Sequence, residues 1–489
     1  MKKIITMLLA GILLFSVFAC AKTDDTKTPQ GSTENNGPTQ EVREKIWDKK
    51  EYDFDGYEFT IISKANTGSI AGFFHGCDVN ADEITGNEVI DEVYNRNRLI
   101  EAEYNCVIVQ NDTAKNAEAV KTIVMGGSDD DAALISTSAK IAVQLIPDDL
   151  LYDLNDPAFV NLSLKQDWYD QNIQNDLSNN GKLYMVNGDM LFVDDNAIWL
   201  TLFNKTLAER YIQDVNLYDA VKEGTWTLDM MSKYAALATT ELVADDKMDE
   251  HDQWGLLSEP GDEAGHLVGC GRRIAEFLPD GTIQMNATTP DFLNVFTKCM
   301  QTYDASYTLL SSDFKGYSDV WEEAYNPMFK EGRALFMVTS MYRCIMFREM
   351  QADFGVLPLP KYDVEQEEYY SWMTWHTGVV CVPYTCSDPE RTSAIMEALF
   401  EESSFALKSA YTDKAIKYQS TRDDESIEML DIIFKNTVYD IGFIYDIGGV
   451  YSALTNLSKA HNVGSISSTI NKCKAKITTD IEKIVEGYN

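Results

Sequence analysis

The chain reads YEFTII from Tyr57 to Ile62, NEVIDEVYNRNRLIEAEY from Asn87 to Tyr104, and CVIV from Cys106 to Val109. The two short apolar runs are rich in β-branched and aromatic residues, which predicts strands. The segment between them carries apolar residues at spacings of three and four, which predicts an amphipathic helix. A strand, a helix and a second strand in this order indicate a parallel sheet that is covered by helices.

The same alternation continues along the rest of the chain. Further helices are predicted at 117–125 and 388–402, and another begins near Thr225 or Thr227. Further strands and extended segments are predicted at 131–135, 183–186, 197–203, 334–338, 354–360 and 377–383. The alternation predicts a mostly parallel sheet with helices on both faces, and ligands of such sheets bind beyond the carboxyl ends of the strands.

The amino terminus has the pattern of a secretory signal. A basic start at Lys2 and Lys3 is followed by an apolar run to Phe18, which is too short to span a membrane. The sequence Val17-Phe18-Ala19-Cys20 resembles the bacterial lipobox. We therefore predict a signal peptide at 1–19, a lipidated Cys20, and a disordered tether at 20–51. An ordinary signal peptide that happens to carry a cysteine remains the alternative.

Charge and cysteine content narrow the function classes. The 489 residues carry a formal net charge of −37, so we expect no nucleic-acid partner, because phosphate binding needs a basic surface. A solvated acidic surface accounts for this charge. We expect most of the eight cysteines other than Cys20 to be buried free thiols, although their even number permits disulfides.

Five short motifs fall in the order and spacing of a known family. They are Asn180-Gly181-Lys182-Leu183-Tyr184, Leu202-Phe203-Asn204-Lys205, Gly224-Thr225-Trp226-Thr227, Phe329-Lys330-Glu331-Gly332-Arg333-Ala334-Leu335-Phe336 and Gly355-Val356-Leu357-Pro358-Leu359-Pro360. In these motifs the chain resembles the maltose-binding-protein-like family of extracellular solute-binding proteins, which serve ABC importers. The resemblance covers about Tyr57 to Asn489.

The resemblance implies a two-lobed α/β fold of the type II periplasmic-binding-protein class, with interleaved lobes joined by hinge segments. The chain would cross between lobes near 188–196, 370–376 and 423–430. Lobe 1 would comprise residues 52–190 plus 371–428, and lobe 2 residues 191–370 plus 429–489. The resemblance also implies a small-molecule ligand, most simply a mono- or oligosaccharide, and ABC permease subunits as partners. We expect a monomer that is anchored by lipid to the extracytoplasmic face of the cell membrane.

Aromatic residues at the second crossing are the first candidates for a sugar site. A sugar offers weakly apolar C–H faces and hydroxyls, so its site needs aromatic rings beside polar groups. Trp372, Trp375 and His376 stand together there, although at least one tryptophan is expected to pack the hinge. His376 has no second His or Cys at metal-ligand spacing, so we expect it to form hydrogen bonds. Trp226 is assigned to the core.

Further candidates follow other predicted strands or crossings. Asp194 and Asp195 lie at the first crossing, where they either bind hydroxyls or form a solvated loop; calcium-loop spacing is absent. By the family resemblance Tyr342 corresponds to an aromatic platform. Ser136 and Ser138 follow the strand at 131–135 and bind hydroxyls or cap the next helix. Phe73 and Phe74 follow the first strand and either face ligand or pack.

Three function classes remain. We expect a binding protein without enzymatic activity or cofactor, because no nucleophile elbow, zinc-protease, phosphate-loop or dinucleotide motif is present. A glycoside hydrolase would also show aromatic residues and carboxylates, but adjacent Asp194 and Asp195 rarely flank one bond. A surface glycan-binding or sensor subunit would use the same fold, and fold alone does not fix function.

Overall fold

The structure, a computed structural model, describes residues 45–49, 51–70, 76–127, 131–418 and 423–489. The predicted signal peptide, Cys20, and both Phe73 and Phe74 lie outside the described residues. Within the described ranges, no helix is both long and apolar enough to cross a membrane.

The described chain reaches into the segment predicted as a tether. Trp47 is 3% exposed, and its ring packs edge-on against Tyr104 at 5.3 Å. The backbone N–H groups of Ile46 and Trp47 donate to the Glu401 carboxylate over 2.8 and 3.0 Å. The packed chain therefore begins before residue 51, because Trp47 supplies apolar surface that the preceding polar residues lack.

The strands form two main sheets and two short ladders. Their bounds are β1 (Tyr57–Ile62), β2 (Cys106–Asn111), β3 (Leu134–Ser138), β4 (Trp199–Asn204), β5 (Trp254–Ser258), β6 (Ala275–Phe277), β7 (Ile283–Met285), β8 (Thr308–Leu310), β9 (Ala334–Ser340), β10 (Phe354–Leu357), β11 (Ser371–Trp372), β12 (Gly378–Cys381) and β13 (Thr437–Val438).

Helices cover these sheets and connect them. Their bounds are α1 (Glu88–Tyr104), α2 (Ala117–Gly126), α3 (Ala139–Ala142), α4 (Gln171–Leu177), α5 (Lys205–Tyr211), α6 (Leu217–Lys222), α7 (Leu228–Ala238), α8 (Glu263–Gly269), α9 (Pro290–Tyr303), α10 (Asn326–Lys330), α11 (Tyr342–Phe347), α12 (Pro389–Ser403), α13 (Ala406–Lys408), α14 (Asp424–Lys435), α15 (Ile441–Ile444), α16 (Val450–Lys459) and α17 (Ile466–Glu486). Short 3-10 turns include Phe192–Ala197, and wider π-helical turns occur at Trp321–Tyr325 and Ser409–Tyr418.

The first sheet has the order β12-β3-β1-β2, and the predicted pair β1 and β2 is parallel. The helix between them begins as its sequence indicates, since the Asn87 side chain accepts the N–H groups of Val89 and Ile90. Strand β12 returns antiparallel to β3, with Gly378 opposite Ser138. The carboxyl end of β3 therefore lies beside the start of β12.

The second sheet has the order β10-β4-β9-β5-β8. Strand β4 is antiparallel to both β9 and β10, whereas β5 is parallel to β9 and β8. Trp226 is fully buried beneath this sheet and donates its Nε1–H to the carbonyl of Pro358 over 2.9 Å. This confirms the assignment of Trp226 to the core, and Thr227 is the residue that caps α7.

Two predicted strands differ from the structure. The strand predicted at 131–135 is shifted to 134–138, because its ladder continues to Ser138 opposite β12. The segment 183–186 makes only an isolated bridge between Val186 and Val380. The eight cysteines within the described ranges are free thiols, and all except half-buried Cys473 are buried, which confirms that expectation.

The segments that connect the two main sheets lie side by side. Strand β11 pairs with β13, and Met373 bridges to Ile198 at the start of β4. The N–H of Thr374 donates to the carbonyl of Ala197 over 3.3 Å. The chain then enters β12 of the first sheet at Gly378. Residues 371–377 therefore lie next to the segment that enters the second sheet.

Candidate functional site

A cavity of about 440 Å³ opens beside these connecting segments. We call it the aromatic cavity. Its walls come from the start of β4, the turn after β5, the chain after β11, and helices α15 and α16. The lining residues are Trp199, Glu259, Pro260, Asp262, Trp372, Thr374, Trp375, His376, Phe443, Tyr451, Ser452, Thr455, Asn456 and Lys459. Small-molecule sites commonly have volumes of roughly 300–1000 Å³ and combine apolar walls with a few polar groups.

Trp372 forms the deep part of the aromatic wall. Its side chain is only 2% exposed, and its ring packs edge-on against Phe443 at 4.4 Å and against Trp199 at 5.3 Å. The indole Nε1 of Trp372 has no hydrogen-bond partner among the described residues. Trp372 is thus held mainly by packing, and its one polar side-chain atom is buried without a partner among the described residues.

Trp375 is half-buried and makes contacts on its ring faces. Phe443 stacks parallel to it at 4.7 Å, and the Lys140 Nζ lies over the ring at 4.2 Å. The Trp375 Nε1–H donates to Nε2 of His376 over 2.9 Å. A ligand that stacks on Trp375 must therefore compete with one of these neighbours.

His376 is an uncharged hydrogen-bonding residue in this setting. Burial, with further contributions from Lys64 and Lys140, lowers the pKa of His376 to about 4. The ring is therefore neutral at pH 7, as its acceptance of the Trp375 N–H requires. This geometry agrees with a hydrogen-bonding role for His376.

The turn after β5 supplies carboxyl groups to the cavity. Asp262 accepts hydrogen bonds from the Trp199 Nε1, the Ser258 hydroxyl and the Glu259 N–H over 2.9, 3.0 and 2.9 Å. Burial raises the pKa of Asp262 to about 7. Burial and the neighbouring Asp262 raise the pKa of Glu259 to about 8, against the opposing effect of Arg343. We call Glu259, Asp262 and the adjacent Glu263 the floor carboxyls.

Arg343 is the cation nearest to the floor carboxyls. Its side chain is 2% exposed, and its Nη2 lies 3.6 Å from Oε1 of Glu259. The Cζ atom lies 5.0 Å from the ring centre of Tyr342 and 5.5 Å from that of Tyr325. Tyr342 therefore holds Arg343 and is not among the residues that line the cavity.

Asp194 and Asp195 lie in a different cluster. Both belong to the 3-10 turn Phe192–Ala197, and neither lines the aromatic cavity. The Asn187 side-chain amide donates to Asp194, whose pKa burial and Asp195 raise well above its usual range. A Cβ on Gly378 would lie 3.4 Å from the Asp194 Cβ and 3.8 Å from the Lys64 Nζ. Asp194 is thus buried behind Gly378, whereas Asp195 is half-buried and has Lys408 as its cationic neighbour.

Ser136 and Ser138 are buried in strand β3 and are absent from the cavity lining. Ser138 precedes α3 but makes no side-chain cap hydrogen bond. Of the predicted site residues that the structure describes, Trp372, Trp375 and His376 meet at one cavity. The others lie in the first sheet, behind Gly378, or beside Arg343.

Sequence reasoning missed Trp199, Glu259, Asp262, Phe443 and Tyr451. One signal for the two carboxyl residues was present, because Glu259 directly follows the apolar run Trp254–Ser258, which is strand β5. Recognition of that strand would have placed its following turn at a sheet edge. Phe443 and Tyr451 carried no comparable local signal, since short helices α15 and α16 present them.

No protein-family model matches the sequence, and no curated protein matches it significantly. Solved structures do match over most of the chain. The maltose/maltodextrin-binding domain of Bdellovibrio bacteriovorus, bound to maltotriose, is 15% identical with a TM-score of 0.52. The match covers 87% of this chain and 100% of that one.

Two further structures agree with this match. An ABC substrate-binding protein of Listeria monocytogenes, in complex with cycloalternan, is 14% identical with a TM-score of 0.54 and coverage of 87% and 99%. A family 1 extracellular solute-binding protein of Bifidobacterium longum subsp. infantis is 13% identical with a TM-score of 0.55 and coverage of 87% and 99%. The chain therefore has the two-lobed α/β fold of these extracellular solute-binding proteins, as its motifs implied.

Proposed function

We propose that this protein is an extracytoplasmic solute-binding lipoprotein that captures a mono- or oligosaccharide in the aromatic cavity and delivers it to an ABC importer. The observation that carries the proposal is the cavity itself, where five aromatic side chains and two carboxyl groups line one space beside the segments that join the sheets. The fold shared with sugar-binding proteins supports the same conclusion.

The residues of the cavity suit the surface of a sugar. Aromatic rings pack against C–H faces, and each such contact contributes about 0.5–1.5 kcal/mol beyond buried area. The side chains of Glu259, Thr374 and His376 offer hydrogen-bonding atoms to hydroxyls. Micromolar binding corresponds to about −8 kcal/mol, so several such contacts must act together.

The carboxyl groups are better placed for binding than for catalysis. A glycoside hydrolase needs one carboxyl as acid and another as base or nucleophile. Both oxygens of Asp262 already accept hydrogen bonds from the protein, and Glu259 faces Arg343. These contacts support a binding protein without enzymatic activity.

The rest of the assignment follows from the sequence. The lipobox at Cys20 supports a lipid anchor on the extracytoplasmic face of the membrane, and permease subunits are the proposed partners of a monomer. We keep the proposed lobes at 52–190 plus 371–428 and 191–370 plus 429–489. For the site we propose direct ligand contact by Trp372, Trp375 and His376, with Trp199, Glu259 and Tyr451 added.

A thermal-shift screen over carbohydrates, followed by calorimetric titration, tests the proposal. A ligand at 100 times its Kd adds about 2.7 kcal/mol to the free energy of unfolding, so a true ligand raises the melting temperature measurably. Product analysis of the same mixtures should show unchanged sugar. If no carbohydrate shifts the melting temperature, or if the sugar is cleaved, the proposed function is wrong.

The two tryptophans provide the test of the site. Trp372→Ala should lower the free energy of unfolding by about 3–5 kcal/mol, because it removes a buried ring. Trp375→Ala should retain most of the stability and weaken binding of the confirmed sugar about 10-fold, which equals about 1.4 kcal/mol. Unaltered affinity in a folded Trp375→Ala variant would place the ligand elsewhere.

A further inference from the structure

The floor carboxyls outnumber the cations that lie within ion-pair distance of them. Glu259, Asp262 and Glu263 lie within five residues of one another, and Glu263 is 1% exposed. Within the described part of the chain, the only Lys or Arg nitrogen within 4.0 Å of these three carboxyls is the Arg343 Nη2 beside Glu259. The floor of the cavity therefore has an excess of acidic groups, and Glu259 and Asp262 line the cavity directly.

One buried polar atom of the cavity wall lacks a partner. The Trp372 Nε1 has no hydrogen-bond partner among the described residues, and the Trp372 side chain lines the cavity. A buried donor without a partner costs free energy, so a ligand oxygen that reaches this atom would be stabilised by it. The cavity thus offers an acidic floor together with a neutral donor for hydroxyl or ring oxygens.

The aromatic walls are compatible with a positive charge. Trp199, Phe443 and Tyr451 line the same space as the floor carboxyls, and the faces of aromatic rings attract cations. The formal net charge of −37 also raises the local concentration of cationic solutes near the protein. Neutral sugars gain nothing from either effect.

Two lysines near the cavity weaken this preference only slightly. Lys459 lines the cavity and Lys140 lies over Trp375, but both side chains are exposed. Solvent screens the charge of an exposed side chain more than that of a buried one. Arg343 is already engaged with Glu259. The floor therefore keeps its acidic character beneath the lysines.

We propose that the aromatic cavity selects a sugar that bears an amino group, with the ammonium held by Glu259 and Asp262 and the sugar oxygens by the Trp372 Nε1. This inference rests on the proposed function and names the class of sugar. Burial raises the pKa of Glu259 to about 8, and a bound ammonium would favour its ionised form.

Three trimers with the same β-1,4 linkage test the inference by calorimetric titration: the glucosamine trimer, the N-acetylglucosamine trimer and cellotriose. We expect the glucosamine trimer to bind at least 10-fold more tightly than either neutral trimer. Raising the salt concentration should weaken the glucosamine trimer and leave cellotriose unchanged, because only the former binds through charge. This measurement uses the unaltered protein and does not depend on a variant that folds.

Glu259→Gln should reduce the ratio of the glucosamine-trimer affinity to the cellotriose affinity at least 10-fold, because it removes the carboxylate charge that holds the ammonium group. The matched control is Glu209→Gln, which removes the same charge from an exposed position on α5 outside the cavity. It should leave all three affinities unchanged.

The outcomes separate the two proposals. Equal or tighter binding of a neutral trimer overturns the amino-sugar inference and leaves carbohydrate binding intact. An equal loss for all trimers in Glu259→Gln also overturns the inference. Binding of none of the trimers, together with a negative carbohydrate screen, contradicts the proposed function itself.

Discussion

Two buried acidic clusters lie near the segments that join the sheets, and they differ in how their charge is balanced. Asp78, Asp194 and Asp195 have lysines nearby: Lys64 acts electrostatically on Asp78, and Lys408 acts on Asp195. The floor carboxyls have Arg343 alone within ion-pair distance among the described residues, and they open into a cavity. We therefore expect the first cluster to depend on its own lysines and the second to respond to a cationic ligand.

The largest expected effect concerns the cations of the two clusters. Lys64 is half-buried and acts electrostatically on the buried Asp78 and Asp194, so Lys64→Met leaves these carboxyl groups without that cation. We expect a loss of about 3–5 kcal/mol in the free energy of unfolding. Arg343→Met keeps the packing against Tyr342 and Tyr325, and half-buried Glu259 can protonate or contact water. We expect a loss of about 1–2 kcal/mol there.

Urea unfolding of both variants at pH 7 measures the difference. The comparison of the clusters is wrong if Arg343→Met proves as destabilising as Lys64→Met. A matched lysine control is Lys222→Met, whose exposed ion pair with Glu428 should contribute little.

An effect of intermediate size is expected from pH on the free energy of unfolding. The folded-state pKa of Glu259 lies near 8, above its ordinary value of 4.5, so the folded protein binds this proton more tightly than the unfolded chain. The stabilisation of the folded state by this proton is fully present below pH 4.5 and is lost as the pH rises through 8. We expect a loss on the order of 2 kcal/mol from this group.

The pH dependence separates the clusters when variants are compared. Glu259→Gln should flatten the decline in the free energy of unfolding between pH 5 and pH 8. Burial raises the pKa of Asp195 to about 7, so Asp195→Asn should flatten the decline only below about pH 7. A bound cationic sugar should flatten only the part that depends on Glu259. Unfolding curves at pH 5, 6, 7 and 8 provide the measurement. Parallel curves for wild type and Glu259→Gln would contradict the assignment.

The smallest effects are expected from substitutions at two glycines, Gly265 beside the aromatic cavity and Gly378 beside the first acidic cluster. A Cβ on Gly265 would lie 3.0 Å from the Trp372 Cε3, so Gly265→Ala must displace the deep wall of the cavity. We expect binding to weaken about 3- to 10-fold, which equals about 0.7–1.4 kcal/mol. A Cβ on Gly378 would meet Asp194 and Leu191 at 3.4 Å, so Gly378→Ala should change stability by less than about 1 kcal/mol and leave binding unchanged. Titration of both variants with the same sugar decides whether the two regions are independent.

Local sequence patterns were sufficient to predict the positions of several strands and helices. The apolar runs at β1, β2 and β9 and the helical spacing of α1 and α12 depend on neighbours in the sequence, so their positions could be predicted. The family motifs then indicated the lobes. The prediction of a strand at 183–186 was wrong, because a strand needs a continuous pairing partner and Val186 forms only a single bridge with Val380.

The site depended on contacts that the sequence does not display. Trp372 and Trp375 were recognised together, but only packing distinguishes the buried ring from the half-buried one. The sequence left Asp194 and Asp195 as either ligand contacts or a solvated loop, whereas the fold buries Asp194 and half-buries Asp195. The cavity brings Trp199, Glu259 and Tyr451 together from segments up to 252 positions apart. Residue type and local spacing thus indicated the fold class and one wall of the cavity. Tertiary structure alone decided which carboxyl groups line that cavity, because burial and charge balance arise only when distant segments pack.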